Sequence, residues 1–274
     1  MTGRGPEAIG RAFSAADRDG RTALVCYLLA GFPSEADARA AAEAALTSGA
    51  DLLEIGVPFS DPLADGPTIA EAGRTALEHG SGLASAVNLV AALRGAGHEQ
   101  PILVMTYLNP LLAAGERATL RELADAGADG LIVPDLPAGG MPHLERLAAA
   151  LGLAMTFLVA PNTADERIRA AARASTGFVY VVPLLGVTGA RDAVAAGAVD
   201  LLRRVRRLAG RVPIAAGFGI STSEQLAGLA PVADGVVVGS ALVAAVRDGG
   251  TAALADLVGR LARATPRPPD GSGA

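Results

Sequence analysis

The sequence predicts an α/β fold, a (β/α)8 barrel with an extra N-terminal helix, and two observations carry that reading. Short apolar runs, too continuous for half-exposed strands, alternate with helical stretches, many of them Ala-rich, along the 274 residues, and eight such runs can be counted. Similar junctions recur before the second, fourth and eighth runs: Gly49-Ala50-Asp51, Gly127-Ala128-Asp129 and Ala233-Asp234-Gly235. Parallel strands need helical crossovers, so an eightfold repeat closes most naturally as a barrel. An open doubly wound sheet is the alternative.

Residues 6–17 read as the extra helix. Ala23–Ala30 is a buried strand ended by Gly31, and an Ala-rich helix runs from Ser34, its N-cap, to about Thr47. Leu52–Ile55 is the second strand, with Glu54 at or near its C-terminal end. Helices over 68–79 and 82–94 lead to strand Ile102–Thr106, helix Ala118–Ala126 and strand Gly130–Val133. The second half repeats the plan with helix Met141–Leu151, strand Met155–Val159, helix Ala164–Ala174 and strand Phe178–Val182. Helix Arg191–Leu208, strand Pro213–Ala216, helix Ser223–Leu229, strand Gly235–Val238 and final helices from Ala241 to Arg263 complete it. In the first two recurring junctions Gly ends the helix in a left-handed conformation, so the junctions read as structural punctuation. Residues 1–264 are expected to form one barrel domain and the Pro-, Gly- and Ser-rich stretch 265–274 a disordered tail.

Composition bounds the function. With 51% hydrophobic and 19% charged residues the chain reads as a soluble globular protein. No apolar run approaches the roughly 18 to 20 residues of a bilayer span, and the first twenty residues lack the apolar core of a signal peptide, so a cytoplasmic location and no membrane association are expected. Net charge is −5, and the dense basic cluster Arg203, Arg204, Arg206 and Arg207 reads as a solvated or subunit-facing helix surface rather than a nucleic-acid site. The single cysteine, Cys26, lies in an apolar run and has a packing role. All 23 basic residues are arginine, which excludes Schiff-base catalysis, pyridoxal phosphate anchoring and a phosphate-loop lysine. His79, His98 and His143 are too dispersed for metal-ligand spacing, so neither metal nor cofactor is expected.

In a (β/α)8 barrel the active site is built at the C-terminal ends of the strands, with phosphate held by the loops after strands seven and eight. Gly217-Phe218-Gly219 and Gly239-Ser240 occupy those loops, and Gly186-Val187-Thr188-Gly189 follows strand six. Each alone reads equally well as a turn; three on one rim point to a phosphorylated substrate. Across the mouth lies the stretch Leu53 to Gly66, where Glu54 closes an apolar run and Asp65 follows a Pro- and Gly-rich loop. Glu54 and Asp65 would face the far end of a ligand whose phosphate is held opposite, although a strand-end charge and a turn former are the bland alternatives. Asp61, with Pro58 and Pro62, shapes the loop. Tyr180 shares an alternating face with Phe178 and Val182, and Phe178 reads as core. Tyr27, Met105, Tyr107, Ile132, Leu158 and Phe218 lie near strand ends; as an apolar ring they suit a flat aromatic substrate carrying a phosphorylated side chain, and otherwise they are core.

Residues 53–69, Leu-Glu-Ile-Gly-Val-Pro-Phe-Ser-Asp-Pro-Leu-Ala-Asp-Gly-Pro-Thr-Ile, closely resemble the signature of the tryptophan synthase α subunit family. Met105-Thr-Tyr-Leu-Asn-Pro110, Pro134-Asp-Leu-Pro137, Ala160-Pro-Asn162, Gly186-Val-Thr-Gly189, Gly217-Phe-Gly-Ile220 and Gly239-Ser240 match in order and spacing, so the resemblance covers nearly the whole chain. It implies a TIM-type barrel that cleaves indole-3-glycerol phosphate to indole and glyceraldehyde 3-phosphate in tryptophan biosynthesis, with a β subunit as partner in an αββα tetramer. Carried over position by position, the family's general acid/base falls on Glu54, its indole-ring aspartate on Asp65 and its active-site tyrosine on Tyr180. The phosphate-binding positions fall on Gly189, Gly219, Gly239 and Ser240, and Thr188 matches a threonine of the loop that closes against the one bearing Asp65. Pro183-Leu184-Leu185, Ala70, Cys26 and Leu29 depart from the residues common in the family. Since the chain has no lysine, the substrate must supply its own electron sink, an indole ring protonated at C3. A stand-alone indole-releasing lyase of secondary metabolism shares this chemistry; the acid pair disfavours a weakly catalytic regulatory subunit that activates a β partner, and a related phosphate-binding barrel isomerase would be expected to lack the match over residues 53–69.

Overall fold

The alternation of apolar runs and helices closes into a ring. The computed structural model describes residues 3–182, 191–217 and 222–266, with the side chains of 191–196 excepted. Its strands are β1 (Ala23–Leu29), β2 (Leu52–Gly56), β3 (Ile102–Met105), β4 (Gly130–Ile132), β5 (Ala154–Val159), β6 (Val179–Val181), β7 (Ile214–Ala216) and β8 (Gly235–Val238). They pair in chain order as a closed parallel barrel, β8 returning to β1. The helices are α1 (Pro6–Arg18), α2 (Glu35–Thr47), α3 (Pro67–Glu78), α4 (Leu83–Gly95), α5 (Leu108–Ala113), α6 (Glu116–Ala126), α7 (Pro142–Ala150), α8 (Asp165–Ala174), α9 (Arg191–Ala209), α10 (Ser223–Leu229) and α11 (Ser240–Arg263). All seven residues of β1 are buried, as expected of a strand covered by side chains inside and helices outside. Cys26 among them is fully buried, and burial pushes its thiol up, which keeps it protonated and inert.

Helix ends follow local chemistry. The Ser34 hydroxyl accepts from the Asp37 N–H at 3.2 Å to cap α2, and Thr222 and Gln225 form a reciprocal capping box at α10. The short α5 lies between strand three and the next helix, in a stretch to which the sequence assigns no element. Its first N–H, from Leu108, is held by the Asp135 carboxylate at 3.0 Å, a partner that only the folded chain brings close. The last helix is two segments joined at Gly250, whose φ of 64° breaks the helical path.

The recurring junctions do more than punctuate. Asp51 accepts from the Leu24 N–H at 2.8 Å, Asp129 from Ile102 at 2.9 Å and Asp234 from Ile214 at 2.8 Å. Each also returns its own N–H to the carbonyl of that same residue. Thr176 makes the same reciprocal pair with Met155 through its hydroxyl, at 2.9 Å in both directions. Every odd strand is thus clasped at its start by the junction leading into the next even strand. Three clasps carry an arginine: Arg21 on Asp51, Arg94 on Asp129 and Arg206 on Asp234. Two arginines of the basic cluster are therefore structural, since Arg206 holds a clasp and Arg204 ties α9 to Asp165 at the start of α8.

These clasps lie at the N-terminal ends of the strands, and α1 crosses the same end. The Gly5 N–H donates to Asp129 at 2.9 Å, and the Phe13 ring meets Phe178 at 5.5 Å between centroids. Phe178 in turn meets Tyr180 at 6.0 Å, so an aromatic column runs up the barrel from its plug. At the other terminus, Thr265 is buried and accepts the Thr22 N–H, and Pro266 forms a bridge with Arg21. Ordered packing therefore extends two residues into the stretch that composition marks as a tail; residues 267–274 lie outside the described residues.

Candidate active site

Glu54 lies in β2 with Tyr27 of β1 and Leu103 of β3 as its register neighbours. Its side chain is fully buried, and neither carboxylate oxygen has a hydrogen-bond partner among the described residues. An ionised carboxylate there forfeits hydration without compensation. Burial first, and the nearby charge of Asp65 second, push its pKa up to about 8, so Glu54 is protonated at neutral pH.

Asp65 comes from the loop that joins β2 to α3. Burial raises its pKa and a hydrogen bond from the Tyr107 hydroxyl opposes that rise. The same hydroxyl accepts the Ala64 N–H at 2.9 Å, and the Phe59 ring lies 5.3 Å from the Tyr107 ring. Tyr107 therefore pins the acid-bearing loop from both sides. Asp61 is exposed and takes a local hydrogen bond from Ser60, in keeping with loop shaping.

Glu54 and Asp65 open on one cavity of about 570 Å³ at the C-terminal ends of the strands. Tyr27, Met105, Leu158 and Tyr180 line its wall, and Gly239 and Ser240 form another part of it. Ser240 begins α11, so the unpaired N–H groups and positive dipole end of that helix open on the cavity. Tyr180 reaches inward because Gly217 has no side chain: a Cβ there would lie 2.4 Å from the Tyr180 ring. Burial pushes the hydroxyls of Tyr27 and Tyr180 well up, and Glu54 and Asp65 add to the effect, so both phenols stay protonated. All three tyrosines of the chain, Tyr27, Tyr107 and Tyr180, therefore surround the two acids. A larger groove of about 950 Å³ lies at the opposite end between α1 and residues 97–101, and holds none of these groups.

Ile132 is fully buried in β4 and is not part of the cavity wall; Tyr107 supports the loop rather than the wall. Thr188, Gly189, Phe218 and Gly219, together with Pro183-Leu184-Leu185, lie outside the described residues. The sequence reading missed Leu63, Thr68, Ile69 and Val237. Val237 was within reach of it, two residues before Gly239 on the same strand face.

The family model described as "Tryptophan synthase alpha chain" matches residues 13–263. The chain belongs to the tryptophan synthase alpha chain family. The alpha chain of Deinococcus radiodurans is 43% identical over 258 residues, covering 93% of this chain and 94% of that one. That of a Roseiflexus species is 45% identical over 235 residues, covering 86% and 90%. Among solved structures, tryptophan synthase from Mycobacterium tuberculosis superposes with a TM-score of 0.87 at 40% identity, covering 95% of this chain and 98% of that one. The alpha chain family is thus matched in sequence and in fold along the same length.

Proposed function

We propose that this chain cleaves indole-3-glycerol phosphate to indole and glyceraldehyde 3-phosphate by a retro-aldol reaction, as the alpha subunit of tryptophan synthase. The observation that carries the reading is Glu54: a buried carboxyl, protonated at neutral pH, whose oxygens have no partner among the described residues, on the wall of a cavity that also holds a second acid and a helix N-terminus. The Glu54 carboxyl gives its proton to indole C3, making the ring a cationic electron sink. The resulting carboxylate takes the proton of the side-chain hydroxyl next to the scissile bond. The electrons of that bond return to the ring, indole and the aldehyde separate, and Glu54 ends protonated as it began. Asp65 accepts the indole N–H and stabilises the cation. Gly239 and Ser240 hold the phosphate; by the family resemblance Gly189 and Gly219 are its further binding positions, and Thr188 and Phe218 are substrate-binding positions.

A beta chain is the partner this reading names, in an αββα assembly. Two large apolar side chains stand exposed among the described residues, Leu63 at 85% and Leu112 at 44%, and both lie on segments that follow strands beside the cavity mouth. Exposed apolar side chains so placed suit a protein contact at the rim. Among the described residues no helix is long and apolar enough to cross a membrane. The test is indole release from indole-3-glycerol phosphate with and without a cognate beta chain. Cleavage that rises strongly with the beta chain is expected, high activity alone would indicate an independent lyase, and no cleavage in either case would overturn the reading.

A further inference from the structure

The ring of Tyr27 lies in a slot between two glycines. A Cβ on Gly239 would sit 3.3 Å from its Cδ1 and 3.4 Å from its Cβ, while a Cβ on Gly56 would sit 2.1 Å from its hydroxyl oxygen. The side chain therefore runs from the start of α11 on β8 to the end of β2, just past Glu54. It is only 5% exposed, and it belongs to the cavity wall. A phenol so placed presents its O–H to whatever fills the cavity.

Under the function proposed above, the two ends of this ring mark the two ends of the substrate side chain. The phosphate lies at Gly239 and Ser240, and the scissile bond lies at Glu54. The three-carbon link with its two hydroxyls must then pass over Tyr27. An ionised acid can only accept a hydrogen bond, and Glu54 is committed to the proton transfers, so the oxygens of the link need a neutral donor. We propose that the Tyr27 hydroxyl donates a hydrogen bond to a hydroxyl oxygen of the substrate's three-carbon side chain and so sets that chain against Glu54. Burial and the two neighbouring acids keep the phenol protonated, which suits a donor.

Tyr27→Phe removes the donor and keeps the ring in its slot. The test compares kcat and KM for indole-3-glycerol phosphate with the dissociation constant of indole-3-propanol phosphate, whose side chain has no hydroxyls. The expected result is a loss of about tenfold in kcat/KM for the substrate, the size of one lost hydrogen bond, with binding of the analogue within about twofold of the parent chain. Tyr27→Leu, which removes the ring itself, should weaken both ligands. The inference is overturned if Tyr27→Phe cleaves the substrate as the parent does, or if it weakens substrate and analogue equally, since a purely structural tyrosine makes no distinction between them. Absence of cleavage by the parent chain would overturn the functional reading, and this inference with it.

Discussion

Glu54 couples the chemistry of the site to the stability of the fold. Its pKa of about 8 in the native chain exceeds the roughly 4.3 of an unfolded glutamate, so between those values the native state holds a proton that the unfolded state has lost. Stability therefore falls as pH rises through that window, by up to about 1.4 kcal/mol per pH unit, and levels off above about pH 8. Glu54→Gln lacks this slope. Urea unfolding at acidic and at alkaline pH should show the variant gaining on the parent as pH rises, while its turnover drops by about 10³-fold. A stability difference that is flat across pH would contradict the protonated assignment. In the parent, kcat/KM should decline as pH rises past about 8, as the acid form of Glu54 in the free enzyme is lost. Gly217→Ala probes the neighbouring tyrosine, because the added methyl collides with the Tyr180 ring. It should lower kcat/KM by about 10- to 100-fold through misplacement alone, in a chain whose melting temperature changes little.

Elements are joined by the four clasps, and these differ in strength by design of their side chains. Asp129 is fully buried and satisfies Ile102, Gly5 and Arg94 at once, so Asp129→Ala leaves two N–H groups without their acceptor and the Arg94 guanidinium, which keeps its bonds to the Gly127, His98 and Gln100 carbonyls, without its buried counter-charge. A cost of about 3–5 kcal/mol is expected. Thr176→Val removes a neutral hydrogen bond and should cost only about 1 kcal/mol. Denaturant titration of both variants checks the order, and equal losses would refute it. Three of the four junctions were legible in the sequence as repeats, the one at Thr176 was not, and the bonding of none was. Each side chain reaches a backbone group 20 to 27 residues upstream, and nothing local marks that partner. The same reason hid α5, whose cap comes from Asp135, 27 residues away. Strand positions were readable because burial on both faces writes a continuous apolar run, as in β1.

At the scale of the molecule, the barrel and about half of the residues that line the cavity could be read before folding. Glu54, Asp65 and Gly239 stood out because acids and glycines at strand ends are unusual against an apolar background. Thr68, Ile69 and Leu63 did not, since their approach to the cavity depends on how the loop after β2 turns back over the barrel. Chemistry without lysine also has a whole-chain test: borohydride added with substrate should leave indole release intact, as no lysine iminium can form on a chain that has no lysine. Lost activity would point to a different electron sink. The gathering of all three tyrosines around the acids, in a chain with no tryptophan, has an optical consequence. The protein's tyrosine emission arises in and beside its cavity, so an indole entering there drains it by energy transfer and makes the unlabelled chain its own reporter of ligand arrival.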